Sequence, residues 1–227
     1  MPSPSTDRHP TAPPFQRLRL GAVCPDAGLP PLFDGESWTH LGDPSYRPVE
    51  PLWRRVAGLL RRPSPAAGVR FQPWVYRKGD RLPFEDGAFS LVVTEDYLQR
   101  LFFDETLALL RECRRVLRVG GVLRVAVPDA DLRTYARPEP PGYPDRRMPF
   151  THPAKHRTRW SVYMLAETLT LAGLQPVPLV YCTRDGAFQD AVPGFRTAGY
   201  EGVADPLVFT LDCVRNRRAL IVDGVRR

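Results

Sequence analysis

The stretch RLPFEDGAFSLVVTEDYLQRLFFDETLALLRECRRVLRVGGVLRVAVPD, Arg81 to Asp129, decides how this chain folds. It reads as one continuous unit: turn, strand, loop, helix, glycine pair, strand. FSLVVTE (89–95) is a short, nearly unbroken apolar run, the pattern of a strand buried on both faces. In ETLALLRECRRVL the residues Leu107, Leu110, Cys113 and Leu117 fall at helical spacing, so one face of a helix is apolar, with Asp104 placed to cap its start. Arg111, Arg114, Arg115 and Arg118 gather toward the end of that helix, where positive charge complements the backbone dipole. Gly120 and Gly121 are expected to end the helix and turn the chain into VLRVAVPD, a second strand parallel to the first and stopped by Pro128.

The same alternation continues outward in both directions. RLRLGAV (17–23) alternates before a glycine and reads as a first strand, SWTHLGD (37–43) as a second ending in an acid. Leu52, Val56 and Leu60 mark one face of a helix over 51–62. VRFQPWVYR (69–77) is a third strand, which Pro73 confines to an edge or a bulge. On the far side, SVYMLAETLTLAG (161–173) is a helix with Ser161 and Gly173 at its ends, and LQPVPLVYC and RALIVDGV complete the sheet. Strands alternating with helices imply an α/β domain on a mostly parallel sheet. The domain is expected over 16–227, preceded by a disordered tail at 1–15 whose MPSPSTDRHPTAPP lacks a signal-peptide core.

Composition removes several function classes. The 26 prolines and 43% apolar content suit one globular domain of 227 residues with proline-rich loops. Cys24, Cys113, Cys182 and Cys213 are far apart and lack ligand spacing, so neither a disulfide framework nor a zinc site is expected, and reduced thiols point to the cytoplasm. No apolar run approaches the roughly 18 residues of a membrane span. The net charge of +7 is carried almost wholly by arginines dispersed along the chain, which makes nucleic acid the least favoured partner. A serine-hydrolase elbow, a Walker loop and an HExxH motif are all missing from the sequence.

In such a sheet, ligands bind in the crevice at the carboxyl ends of the strands, where strand order reverses. The ends after Leu20, at Asp43, near Asp80 and at Thr94–Asp96 form a site of nucleotide-like geometry, without a GxGxxG dinucleotide fingerprint. The central segments LPFEDGAFSLVVTEDYLQRL and LLRECRRVLRVGGVLRVAVPD resemble the class I S-adenosylmethionine-dependent methyltransferases. LRLGAV, SWTHLGD, HRTRW (156–160) and RALIVDGVR are similar to a short branch of that family with a reduced first βα unit. The resemblance implies a Rossmann-like methyltransferase fold: a mostly parallel seven-stranded sheet with an antiparallel last strand and helices on both faces. It also implies S-adenosyl-L-methionine as cofactor, with Gly21 beside the methionine moiety, Asp43 on the ribose, Asp80 near the adenine, and Glu95 and Asp96 at the end of the fourth strand.

Against the family pattern, Val23 stands where a second glycine belongs, and a β-branched residue resists positive φ and narrows the approach to a ligand. Asp96 and Arg100 stand where the family has histidines. THPAKHRTRW (151–160) concentrates His152, His156, Arg157 and Arg159. A histidine there is placed to act as general base toward the acceptor, and the arginines to bind an acceptor carboxylate or phosphate. The proline-rich 137–153 is a candidate lid. Methyl transfer from a sulfonium relies on holding the reactants in line, so no further catalytic signature is required. The resulting expectation is a methyltransferase acting on a small-molecule or glycan acceptor. A cofactor-free scaffold of the same fold is the alternative, and an RNA methyltransferase the third.

Overall fold

A computed structural model describes residues 15–21, 37–43, 70–132, 155–194, 196–216 and 219–227. Residues 1–14 of the expected tail, the helix over 51–62, Val23, Cys24, the lid over 137–153 and His152 lie outside the described residues. Eight strands form one sheet: β1 Arg17–Leu20, β2 Trp38–Gly42, β3 Arg70–Pro73, β4 Phe89–Glu95, β5 Leu117–Val127, β6 Gln175–Cys182, β7 Phe188–Asp190 and β8 Leu220–Val225. Their order is β3-β2-β1-β4-β5-β8-β6-β7. β3, β2, β1, β4 and β5 are mutually parallel, and β8 runs antiparallel between β5 and β6. Strand order therefore reverses between β1 and β4, which places the switch-point crevice there.

β3 is an edge strand, as Pro73 requires. The eighth strand, β7, is a short exposed addition in the stretch after β6. It extends the expected seven-stranded sheet by one edge.

Two α-helices pack together on one face: α1 Phe103–Val116 and α2 Val162–Leu171. α1 starts one residue before its expected cap. Asp104 lies in the first turn and pairs with Lys78, while the Glu105 carboxylate accepts the Phe102 N–H at 2.8 Å and closes the helix start. The buried stripe is Thr106, Leu109, Leu110, Cys113 and Val116, rotated from the expected one; Leu107 sits at its margin and Leu117 already belongs to β5. The glycine pair does not end this helix. Leu117 turns to extended geometry, and the Arg226 guanidinium binds the carbonyls of Arg114, Arg115 and Leu117. Gly120 and Gly121 come later, inside β5. Gly120 has φ +73°, and a Cβ there would sit 2.6 Å from the Gly202 carbonyl oxygen, so a glycine is required for that approach rather than for the helix. α2 begins as expected, with Ser161 Oγ accepting the Met164 N–H at 3.3 Å.

The opposite face is covered by the irregular segment 196–216, which holds only one short 3-10 turn at Pro206–Phe209. Tyr200, Val208, Leu211, Cys213 and Val214 bury against Leu91, Val93, Val122 and Ile221. Such a segment lacks the internal hydrogen bonds of a helix, so its carbonyls need partners from the sheet. Arg124 provides them. It lies on β5, fully buried, and forms two parallel bonds to Asp223 on β8 at 2.9 and 2.7 Å. Its remaining donors reach the carbonyls of Val208 and Thr210 and the sulfur of Cys213, and the Tyr200 hydroxyl donates to Asp223 at 2.7 Å. All five guanidinium donors are thereby satisfied. Burial opposes the charge on Arg124, but Asp223 outweighs it and keeps the guanidinium protonated.

Asp223→Ala is expected to destabilise the fold by about 3–5 kcal/mol, because it leaves a buried, unpaired guanidinium. Tyr200→Phe should cost about 1 kcal/mol, and the double replacement Arg124→Met with Asp223→Leu much less than Asp223→Ala alone. Urea unfolding followed by circular dichroism measures all three; an Asp223→Ala protein as stable as the wild type would refute this account of the segment.

Candidate functional site

The carboxyl ends of β1 to β4 meet at one edge of the sheet, and a cavity of about 240 Å³ opens there. Gly21 and Asp43 form one side of it. Val75 and Tyr76 come from just beyond β3, and Tyr97, Arg100 and Phe102 from the connection between β4 and α1. Arg157 closes it from the later segment. Each group arrives because a parallel strand delivers its final residues to this edge, and the crevice between β1 and β4 has no strand to fill it.

Gly21 ends β1 with φ +74°, while its N–H holds the Leu41 carbonyl at 2.8 Å. A Cβ at this position would lie 2.4 Å from Cγ of Tyr97. The tyrosine ring thus occupies the space directly over the glycine, and burial pushes its phenol well above the ordinary range. Tyr97 is set there by a tight turn. Asp96 adopts φ +54°, rare for a residue other than glycine, with its N–H on the Ala126 carbonyl at 3.0 Å, and Leu98–Arg100 follows as a 3-10 turn.

The segment 157–158 clamps that turn. The N–H groups of Arg157 and Thr158 both donate to the Gln99 carbonyl, at 2.8 and 3.2 Å. Thr158 Oγ1 donates to the Leu101 carbonyl at 2.7 Å, and the Arg157 guanidinium binds the Arg100 carbonyl and lies over the Phe102 ring at 5.6 Å. Across the cavity, the Tyr76 hydroxyl donates to the Glu105 carbonyl at 3.0 Å, and its pKa is pushed up to about 12, mainly by burial.

Of the residues singled out in the sequence, the structure brings Gly21 and Asp43 to one cavity. Asp80 does not line it; its carboxylate accepts the Arg77 N–H at 2.8 Å and closes its own turn. Glu95 is buried on the other side, under segment 196–216. Its carboxylate accepts the backbone N–H of Arg215 and Asn216 at 2.8 and 3.0 Å and the Arg215 guanidinium at 3.0 Å, with Arg19 3.6 Å away. Asp96 supplies the turn, and its carboxyl is raised by burial and by Glu95. His156 is next to the clamp, with its pKa lowered to about 4 by burial and by the positive charges of Arg100, Lys155 and Arg159. Tyr76, Tyr97 and Phe102 were not foreseen. Their signal was position alone, since each follows directly on a strand or turn that ends at this edge.

A Methyltransferase domain family model matches residues 55–125. A 52-residue stretch is 52% identical to the 2-methoxy-6-polyprenyl-1,4-benzoquinol methylase of Leishmania donovani mitochondria, covering 23% of this chain and 17% of that protein. Across the fold, the chain is similar to a putative methyltransferase from Haloferax volcanii in complex with the Trm112 activator, with a TM-score of 0.51, 17% identity and coverage of 96% and 85% of the two chains. The chain has the Rossmann-like fold of the class I methyltransferases. A structure described as a possible histamine N-methyltransferase from Thermotoga maritima gives a TM-score of 0.48 at 15% identity, over 96% of this chain and 84% of that one. The chain spans about a sixth of the length of the curated relative it matches.

S-adenosylmethionine, the cofactor of the methyltransferases whose fold the chain shares, fits the donor set of this crevice. A carboxylate stands at the end of β2, suited to a pair of ribose hydroxyls, a glycine of positive φ ends β1, and Val75 and Tyr76 present apolar surface suited to a purine.

The lowered pKa of His156 has a pH consequence. The unfolded chain binds a proton near pH 6.5 and the folded chain only near 4, so the stability conferred by neutral His156 is complete above 6.5 and is lost as pH falls toward 4. NMR titration of the His156 ring should show a midpoint near 4; a midpoint near 6.5 would place the imidazole in solvent, away from the arginines.

Proposed function

We propose that this methyltransferase domain transfers a methyl group from S-adenosylmethionine to a small-molecule acceptor that is itself an anion, a carboxylate or an acidic phenol. The observation that carries the reading is the meeting of Gly21 and Asp43 in one cavity at the switch-point edge. When bound, the cofactor supplies an electrophilic methyl on a sulfonium. Asp43 would accept hydrogen bonds from the ribose hydroxyls, and Val75 and Tyr76, which line the same cavity, would flank the base.

The acceptor half of the cavity is formed by Phe102, Arg100 and Arg157. Lys155 and Arg159 add to the same positive field that depresses His156. Such a field favours an anionic acceptor and stabilises it in the ionised form that attacks carbon. It also limits His156 as a base. An imidazole with a pKa of about 4 is neutral at physiological pH but has little affinity for a proton, so it suits orienting an acceptor better than deprotonating an ordinary alcohol. An acceptor that arrives already ionised needs no stronger base. In-line placement of the two reactants then supplies most of the acceleration.

Titration calorimetry with S-adenosylmethionine and S-adenosylhomocysteine tests the reading. Micromolar binding, about 8 kcal/mol, is expected, and Asp43→Ala should weaken it by about tenfold or more. Binding unchanged by Asp43→Ala would move the cofactor away from this cavity. No binding at millimolar cofactor would favour a scaffold role for the fold.

A further inference from the structure

We infer that Tyr97 sets the affinity of this domain for its cofactor: its ring fills the switch-point crevice over Gly21 and must leave before a ligand can approach the end of β1. The inference rests on the cofactor reading above and goes beyond it by assigning a residue that neither motif nor charge had marked. Three observations carry it. The distance from a Cβ built at Gly21 to the Tyr97 ring is 2.4 Å to Cγ, with Cβ and Cδ2 both at 2.7 Å, so the ring lies against the glycine backbone with no room for a ligand between them. β1 and β4 are neighbours in register, Leu20 opposite Thr94, so the residues that follow them flank the crevice where strand order reverses. The third observation is that the ring abuts open space: Tyr97 is part of the wall of the 240 Å³ cavity, which gives the side chain somewhere to turn.

The turn that carries Tyr97 is held from outside. Arg157 and Thr158 bind three successive carbonyls, those of Gln99, Arg100 and Leu101, and Asp96 is kept at φ +54° by its own N–H on Ala126. Thr158 is therefore a positioning residue. It does not itself line the cavity, and its hydroxyl at 2.7 Å from the Leu101 carbonyl fixes the turn that presses the ring inward. A site whose competent form is only partly populated binds with its intrinsic affinity reduced by that fraction. Truncating the ring removes the reduction.

The experiment is calorimetric titration of S-adenosylhomocysteine into the wild type, Tyr97→Ala, Tyr97→Phe, Thr158→Val and the Tyr97→Ala/Thr158→Val double variant, with thermal unfolding to verify that each is folded. Tyr97→Ala is expected to bind about tenfold tighter, and Tyr97→Phe to stay within about twofold of wild type, because the ring and not the hydroxyl fills the crevice. Thr158→Val should tighten binding by about threefold alone and add nothing to Tyr97→Ala, the non-additivity expected of residues acting through one element. If Tyr97→Ala does not fold, the Thr158→Val result stands as the test. Equal or weaker binding by Tyr97→Ala, with the wild type still binding, overturns this inference alone and makes the ring a wall that packs on the cofactor. Loss of binding in the wild type and every variant overturns the cofactor reading with it. A wild type that does not bind beside a Tyr97→Ala protein that does would support both.

Discussion

The architecture depends on one buried ion pair. Arg124 on the central strand β5 and Asp223 on the antiparallel strand β8 face a side of the sheet whose described cover is an irregular segment rather than a helix. A helix satisfies its own backbone, whereas an extended cover must find a donor for every buried carbonyl. The planar, five-donor guanidinium is suited to that task, and no lysine would do it. The carboxylate of Asp223 orients the fork, the fork holds Val208 and Thr210, and Tyr200 returns from the same segment to the carboxylate. Removing any member exposes the others to an unpaired, low-dielectric environment, which is why such networks hold together as units.

Two further anchors follow the same logic. Asp205 accepts two bonds from Arg17 on β1, both at 2.9 Å, and one from Ser90 on β4 at 2.6 Å. Glu95, at the end of β4, takes the backbone of Arg215 and Asn216. The segment is thus tied to β1, β4, β5 and β8 by charged residues that alternate along the strands with apolar ones. Part of the arginine excess therefore has a definite use, as internal ligands for backbone carbonyls and carboxylates rather than for a polyanion.

The fold was legible because its decisive unit is local. The buried run of β4, the amphipathic α1 and the second run of β5 specify a parallel pair through period and apolarity, and Pro73 correctly marked an edge. What was not legible depended on which face a polar residue takes. An acid at the end of a strand reads the same whether it meets a ligand or a distant arginine. Glu95 and Asp43 look alike in sequence, and only the path of segment 196–216, set by contacts more than a hundred residues away, separates them. The glycine pair was misleading for a similar reason. Gly120 answers to the approach of Gly202, a tertiary demand with no local signature, while the helix before it ends through Arg226. Asp104 lost the capping role to Glu105 because the helix starts earlier and the longer side chain reaches back to the open N–H.

The HRTRW segment shows how one short stretch can govern a site through its backbone contacts as well as through its charge. Arg157 and Thr158 fix the turn after β4. Trp160, fully buried, pairs with Asp129 just beyond β5, and its carbonyl accepts the Ala130 N–H at 2.8 Å. Asp129 in turn accepts the Cys182 N–H at the end of β6 at 2.6 Å. The carboxyl ends of β4, β5 and β6 are therefore laced together by Arg157, Thr158, Trp160 and one aspartate. The turn that carries Tyr97 is thereby joined to Arg157 and Phe102, which line the same cavity. The backbone N–H groups of Arg157 and Thr158 hold the turn whatever side chains stand at those positions, whereas the bonds to the Arg100 and Leu101 carbonyls depend on the Arg157 and Thr158 side chains themselves.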